Sequence, residues 1–305
     1  MKRKRLISFG PRLLLIAALI LLLAVGAVLR PVLFPSEASP PLPPDSSQPL
    51  EVYFLDVGQA DSILILQGSY ACLIDAGGSR TADALVEFLH ALGVERLTAA
   101  VATHPHEDHI GGLSAVIRAF PIDTLIMPKV EHDAKPHLDV LDAAEEAQMR
   151  ITAPKAGTRY AVGAAELEVL YDEIDASNLN NCSVVTRLTY GSRALLLTGD
   201  AETPVETKLL ASSYPLQSDF LKVGHHGSSS SSDEAFLAAV DPLEVFILCG
   251  EDNRYGHPHE VMLRRLGALA ANRGSLVGVH RTDLLGTIVL RVEPDGTYTV
   301  EAWEE

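Results

Sequence analysis

Beyond position 50 the chain runs through two hydrophobic patterns. Short, near-continuous apolar runs occupy 51–57, 62–66 and 71–75, and glycine-containing turns separate them. That pattern predicts three consecutive strands. Helical spacing over 81–92, stopped by Gly93, predicts the first helix of this region. A strand over 97–103, a helix over 111–120, a strand at 124–127 and a helix near 138–148 follow. The second half repeats the style. Segments 183–190 and 194–197 read as a hairpin across Gly191-Ser192, followed by helix 204–211, strand 219–223, helix 233–240 and strand 245–249. Helix 258–270, strand 275–279 and a hairpin of 286–292 with 298–303 close the chain. Two mixed sheets with helices outside them pack naturally as a four-layer α/β/β/α sandwich. The halves share element order and no short repeat.

The first thirty residues follow neither pattern. Lys2, Arg3, Lys4 and Arg5 precede an uncharged run from Leu13 to Leu29 rich in Leu, Ala and Val. A basic segment followed by an apolar helix is a signal peptide or a signal anchor. Cleavage after Ala27 is compatible with Val25 and Ala27. The apolar run continues past that point, so an uncleaved transmembrane anchor over 1–30 is the favoured expectation. The positive-inside bias then places the remainder outside the cytoplasm, at the cell membrane. The Pro-rich stretch 31–50 reads as an extended tether, and 51–305 as the globular domain.

Charge and cysteine content narrow the picture. Six of the 24 basic residues precede position 31, leaving 18 against 40 acidic ones, a net charge of about −22. Such a domain has no intrinsic basic surface for nucleic acid and repels polyanions at long range. Cys72, Cys182 and Cys249 are odd in number, widely spaced and set in apolar surroundings. They read as buried thiols rather than a disulfide framework.

The densest chemistry lies in Thr103-His104-Pro105-His106-Glu107-Asp108-His109-Ile110-Gly111-Gly112. Residues one apart in an extended segment face the same side, so His104 and His106 can hold one ion. Asp108 and His109 turn the other way and suit a second ion. Gly111-Gly112 permits a tight turn into the next helix.

At this point the chain resembles the metallo-β-lactamase superfamily, whose first metal motif is His-x-His-x-Asp-His. Four further stretches narrow the likeness: Phe54-Leu55-Asp56-Val57-Gly58-Gln59-Ala60-Asp61-Ser62, Ile74-Asp75-Ala76-Gly77-Gly78, Leu197-Thr198-Gly199-Asp200, and Leu221-Lys222-Val223-Gly224-His225-His226-Gly227-Ser228. With Asn253-Arg254-Tyr255-Gly256-His257-Pro258 they resemble, in this order, the metallo-hydrolase domain of ComEC-type DNA-uptake proteins and its free-standing, exported relatives. The likeness covers 51–303; the multi-pass channel part of ComEC has no counterpart here.

The resemblance implies a metal-dependent hydrolase with two divalent ions, Zn or Mn, or with one bound tightly. Asp200 falls at the bridging carboxylate, and one of His225 and His226 supplies the last ligand, with His226 slightly preferred. The other is free to donate a proton or touch substrate. The family's additional mid-chain His is absent from Asn178-Leu179-Asn180-Asn181-Cys182-Ser183, leaving an open position. Asn181 would lie in the pocket and His257 would donate a proton or contact phosphate. Asp75 would orient a ligand imidazole, and Asp61 and Asp283 would face the cleft. His259 reads as exposed, and Ser228–Ser232 as a rim or capping loop.

The expected reaction is hydrolysis of a phosphodiester, with a metal-bridging hydroxide as nucleophile and Asp108, His225, His226 and His257 as the catalytic side chains. DNA or a DNA-uptake complex is the partner that the resemblance suggests. The alternatives are an envelope phosphoester (phosphocholine-type) esterase and a non-catalytic membrane-tethered metal-binding module.

Overall fold

The structure, a computed structural model, describes residues 45–304. The expected anchor and most of the tether lie outside the described residues. Among the described residues no helix is long and apolar enough to cross a membrane. Residues 45–49 lie against the body: the carbonyls of Ser46 and Gln48 accept from the Tyr190 hydroxyl, and those of Asp45 and Gln48 accept from the Gln67 amide.

Two sheets form the centre. The first contains β1 (Leu50–Phe54), β2 (Ser62–Gln67), β3 (Tyr70–Ala76), β4 (Ala99–Val101), β5 (Leu125–Ile126) and β6 (Ile151–Thr152). The second contains β7 (Arg159–Val162), β8 (Ala165–Tyr171), β9 (Val185–Tyr190), β10 (Arg193–Leu197), β11 (Phe220–Lys222), β12 (Glu244–Ile247) and β13 (Gly278–Arg281). The closing hairpin β14 (Ile288–Val292) and β15 (Tyr298–Ala302) returns to the first sheet, where β14 pairs antiparallel with β1. The strand orders are β15-β14-β1-β2-β3-β4-β5-β6 and β13-β12-β11-β10-β9-β8-β7.

Alternation along the strands sorts side chains into layers. Leu50, Val52 and Phe54 of β1 enter the core between the sheets, while Tyr53 and the following Leu55 face outward into a second core. Phe54 stacks on Phe246 of β12 with ring centroids 3.9 Å apart, which joins the two sheets. The outer face of the first sheet is covered by α1 (Ala82–Ala91), with a short α2 (Glu107–Ile110), and by α3 (Leu113–Ala119) and α4 (Lys135–Glu146). The second sheet carries α5 (Thr203–Ala211), α6 (Glu234–Val240) and α7 (Glu260–Arg273), and a short α8 (Thr282–Leu285) precedes β14. The expected four layers are present.

Some boundaries differ from the sequence pattern. The helix expected over 111–120 is two pieces, and His109 sits inside the first of them. A Cβ on Gly112 would collide with the Ala76 carbonyl, so this bend packs directly on the end of β3. The stretch 149–178 carried no expected strand, yet it supplies β6, β7 and β8. β6 has two residues, too few for a period to show, and β7 has three residues at least partly open to solvent.

Candidate metal centre

The His-rich segment leaves the C-terminal end of β4, where open α/β sheets place their ligands. His104 Nε2 and His106 Nδ1 converge to 3.0 Å, as two side chains on one side of an extended segment should. His104 is fully buried, and its Nδ1 lies 3.1 Å from the Thr103 hydroxyl and 3.3 Å from that of Ser183. Those contacts leave Nε2 directed inward. Asp108 and His109 lie one helical turn on. His109 is buried, its Nδ1 bonded to Asp75 Oδ2 at 2.7 Å, and its Nε2 lies 3.2 Å from Asp200 Oδ2.

Asp75 is itself held. Its Oδ1 accepts from the Thr103 backbone N–H and its Oδ2 from the Thr103 hydroxyl, at 2.8 and 2.7 Å. Its φ of +57° is in the left-handed region, which Asp tolerates better than most residues. Asp200 follows β10 through Gly199, also left-handed, and its N–H donates to Ser183 Oγ at 3.0 Å.

His225 and His226 do not follow the expected geometry. At the end of the strand expected over 219–223, adjacent side chains would face opposite sides. The two histidines instead form a 3-10 turn after β11, both left-handed at φ +51° and +54°. Both imidazoles consequently approach Asp200 Oδ2, at 3.8 Å from His225 Nε2 and 3.5 Å from His226 Nε2. They differ in burial. His226 is buried, its Nδ1 lying 3.0 Å from the Leu248 carbonyl and 3.2 Å from Asp61, and its Nε2 lies 3.4 Å from Asp108. His225 is partly open, its Nδ1 lying 3.2 Å from Glu202 and its ring lining the cleft.

Among the described residues four groupings share atoms within 4.8 Å: His104 with His109 and Asp200; Asp108 with His109 and His226; Asp61 with Asp200 and His226; and Asp61 with Asp75 and His109. His109 Nε2, His226 Nε2 and Asp200 Oδ1 are buried without a hydrogen-bond partner. Orphaned ring nitrogens and carboxylate oxygens aimed at one point are costly unless a cation joins them. The residues present therefore fit bound divalent ions.

Electrostatics agree. Burial alone would discharge His109, but Asp200 and Asp75 outweigh it and hold the ring well above its ordinary pKa. Burial likewise opposes charge on His226, which Asp200, Asp61 and Asp108 push up to about 10. His104, buried and facing His109, is pushed well below its usual value. Asp200 is held well down despite its burial by His109, His226 and Lys222. The site demands positive charge, and divalent ions compete with protons for these same nitrogens.

Lys222 is a functional neighbour that sequence reasoning missed. It is fully buried, forms a short ion pair with Asp61, donates to the Gly199 carbonyl at 2.8 Å and lies 3.7 Å from Asp200 Oδ1. Its signal was available: a lysine in the middle of the apolar strand Phe220-Leu221-Lys222-Val223.

Two expected pocket residues lie elsewhere. Asn181 is buried, but its amide spans Asp175 and the Glu202 N–H; it is Asn180 that lines the cleft. Asp283 pairs bidentately with Arg281, at 2.9 and 2.5 Å, rather than with any of the cluster's groups. The one-residue shift at Asn181 arises because 179–182 form a 3-10 turn. His259 is half-buried and accepts the Ser229 N–H; in the Ser228–Ser232 loop Ser229 is exposed, Ser231 and Ser232 are buried, and the Ser230 carbonyl accepts from Thr203 at the start of α5.

The cleft over the cluster has a volume of about 320 Å³. His257 lies in its wall, its ring centroid 5.6 Å from that of His225. Gln59 accepts the Gly250 N–H through Oε1, which turns its Nε2 toward His257 Nδ1 at 3.1 Å. That bond assigns the proton of neutral His257 to Nε2. Burial and the neighbouring His226 and His225 lower the ring to about 4, so it is neutral at pH 7.

Comparisons with known proteins agree with this architecture. A family model described as the metallo-beta-lactamase superfamily matches residues 55–251. The chain is 32% identical over 270 residues to ComE operon protein 3 of Bacillus subtilis, covering 82% of this chain and 34% of that protein. It is 32% identical over 282 residues to competence protein ComA of Neisseria gonorrhoeae, covering 89% and 37%. It thus spans about a third of the length of these relatives. Among solved structures it resembles CmlA, a diiron β-hydroxylase from Streptomyces venezuelae, with a TM-score of 0.52 and 16% identity, over 84% of this chain and 55% of that one. It also resembles the metallo-β-lactamase fold protein YhfI from Bacillus subtilis, with a TM-score of 0.50 and 13% identity, over 83% and 99%. At such identities these two speak for the fold alone.

Proposed function

The chain belongs to the metallo-β-lactamase superfamily, and from that premise we propose that it is a metal-dependent phosphodiesterase of DNA uptake, tethered outside the cell membrane by residues 1–30. The observation that carries the hydrolytic reading is the convergence of His104, His109 and His226 on Asp108 and Asp200, with Nε2 of His109 and of His226 left unpaired and His106 beside His104. His104, His106 and Asp200 would hold one ion; Asp108, His109, His226 and the shared Asp200 would hold a second. Zn and Mn both suit imidazole and carboxylate donors.

Bound divalent ions supply an acidified water as nucleophile and neutralise the charge of a phosphoryl group. The chain's own side chains do the rest. Asp75 fixes the tautomer and tilt of His109 through Nδ1, so that Nε2 faces the site. Lys222 compensates the buried carboxylate of Asp61, which lies 3.2 Å from Nδ1 of His226, while the Leu248 carbonyl holds that nitrogen. His257 presents Nε2–H to the cleft and can hydrogen-bond a phosphoryl or leaving-group oxygen there. Asp108, the most open of the carboxylates in the cluster, stands where substrate enters.

The DNA-uptake assignment draws on the names of the relatives and on the chemistry of the site. The test is an assay panel on the full chain with Mn²⁺ or Zn²⁺: single-stranded DNA, bis-p-nitrophenyl phosphate and a choline phosphoester, beside Asp108→Ala. Turnover of the first two and its loss in Asp108→Ala is the expected outcome. Activity that survives Asp108→Ala, or no activity on any phosphodiester, refutes the reading.

A further inference from the structure

A second cavity, of about 820 Å³, is more than twice as large as the cleft over the metal cluster. Its position follows from the topology. Met127 follows β5 and Ala153 follows β6, and both strands run parallel to β4, whose C-terminal end carries His104. The cavity therefore opens along the same sheet edge as the metal cluster.

The walls are apolar. Met127, Pro128 and Val130 form one side, and Leu138 and Leu141, both exposed on one face of α4, form the other. Set into this surface is His137, 2% exposed, whose Nδ1 is buried without a hydrogen-bond partner. Its ring meets that of His132 edge to face at 5.9 Å. Lys129, Glu131 and Asp133 are the charged groups of the lining.

These features discriminate among occupants. A quaternary ammonium needs an aromatic cage, and this lining contains no Phe, Tyr or Trp. An acyl chain would satisfy the apolar walls but leave His137 Nδ1 unpaired, a cost that a well-matched ligand avoids. A nucleobase meets every requirement: a flat apolar face for the side-chain walls and the His132 ring, and a polar edge for His137. Glu131 and Asp133 can accept from a ring N–H or an exocyclic amino group, and Lys129 suits an adjoining phosphate. The volume is in the range of small-molecule sites.

We propose that this cavity is the nucleobase subsite of the hydrolase, seating the base of a nucleotide next to the phosphate held over the metal cluster. This rests on the phosphodiesterase reading, and the experiment separates the two. The full chain with Mn²⁺ is given thymidine 5′-p-nitrophenyl phosphate and methyl p-nitrophenyl phosphate, which share a leaving group and differ in the nucleoside. Wild type should prefer the nucleotide ester in kcat/KM by about tenfold or more, carried mainly by KM. Leu141→Trp, which fills the cavity from a solvent-open position, should erase that preference and leave the methyl ester unchanged. Equal turnover of the two esters by wild type, or a parallel loss of both in the variant, would overturn the subsite while leaving the hydrolase intact. If neither ester is cleaved, the hydrolase reading falls, and binding to the metal-free protein decides the cavity. There dCMP should bind more tightly than inorganic phosphate, and Leu141→Trp and His137→Leu should each abolish the difference. Equal binding of the two, or tighter binding of phosphocholine than of dCMP, would overturn the proposal.

Discussion

His109 donates from Nδ1 to Asp75 Oδ2 at 2.7 Å, and this bond points its Nε2 at Asp200, 3.2 Å away. A buried carboxylate thus determines which nitrogen of the imidazole is available. Asp75 is positioned in turn by two bonds from Thr103, the residue before the His motif. Asp75→Asn suits the left-handed backbone at this position but offers an amide where His109 needs an acceptor. Metal affinity, measured by chelator competition, should fall about 10- to 100-fold, with the far-UV circular dichroism unchanged.

Lys222 and Asp61 form a buried pair beside the same cluster. Removing one partner leaves an uncompensated charge in the interior. Lys222→Met in metal-free protein should lower unfolding free energy by about 3–5 kcal/mol in urea titrations. Lys222→Met combined with Asp61→Leu should recover much of that loss, because both charges are gone. A double variant no more stable than the single would show that the pair itself is not the source.

The two adjacent histidines should separate experimentally. His226 is buried with Nε2 between Asp108 and Asp200, whereas His225 is partly open and braced by Glu202. His226→Ala should reduce the metal content of purified protein by elemental analysis. His225→Ala should retain the metal and lose turnover, by about 10²–10⁴-fold if it serves as a proton donor. The reverse pattern would exchange their roles.

Away from the site, Glu206 gives a pH signature. Its buried carboxyl accepts backbone N–H groups from Ser232 and Asp233, and burial pushes its pKa up from 4.5 to about 7. Between those values the unfolded chain has released this proton and the folded chain retains it. Stability should therefore fall as pH rises from 4.5 to about 7, by about 3 kcal/mol, and this contribution should be flat above. Glu206→Gln should lose that slope and pay about 1–3 kcal/mol for an amide facing a backbone donor. Urea midpoints at several pH values in chelator measure both effects.

Much of the fold was legible because strands buried on both faces leave near-continuous apolar runs and amphipathic helices write their period into the chain. Leu50, Val52 and Phe54 alternate with Tyr53 and Leu55 because each set faces a different core. β6 and β7 were not legible: one is two residues long and the other lies largely open, so neither needs an apolar period. Asn181 was placed one residue from the cleft-lining Asn180 because a 3-10 turn rotates side chains by about 120° per residue, which no composition reveals.

By itself the sequence determined the layers, the superfamily motif and the convergence of His104 with His106, since these follow from local period and spacing. Only the tertiary structure decided that His225 and His226 both turn toward Asp200, because their left-handed backbone replaces the strand geometry that would have parted them. Tertiary structure likewise seated Lys222 against Asp61, residues 161 positions apart, and opened the large cavity beside the cluster. Side-chain pairing across two sheets depends on how the layers close, and that closure is a property of the whole chain.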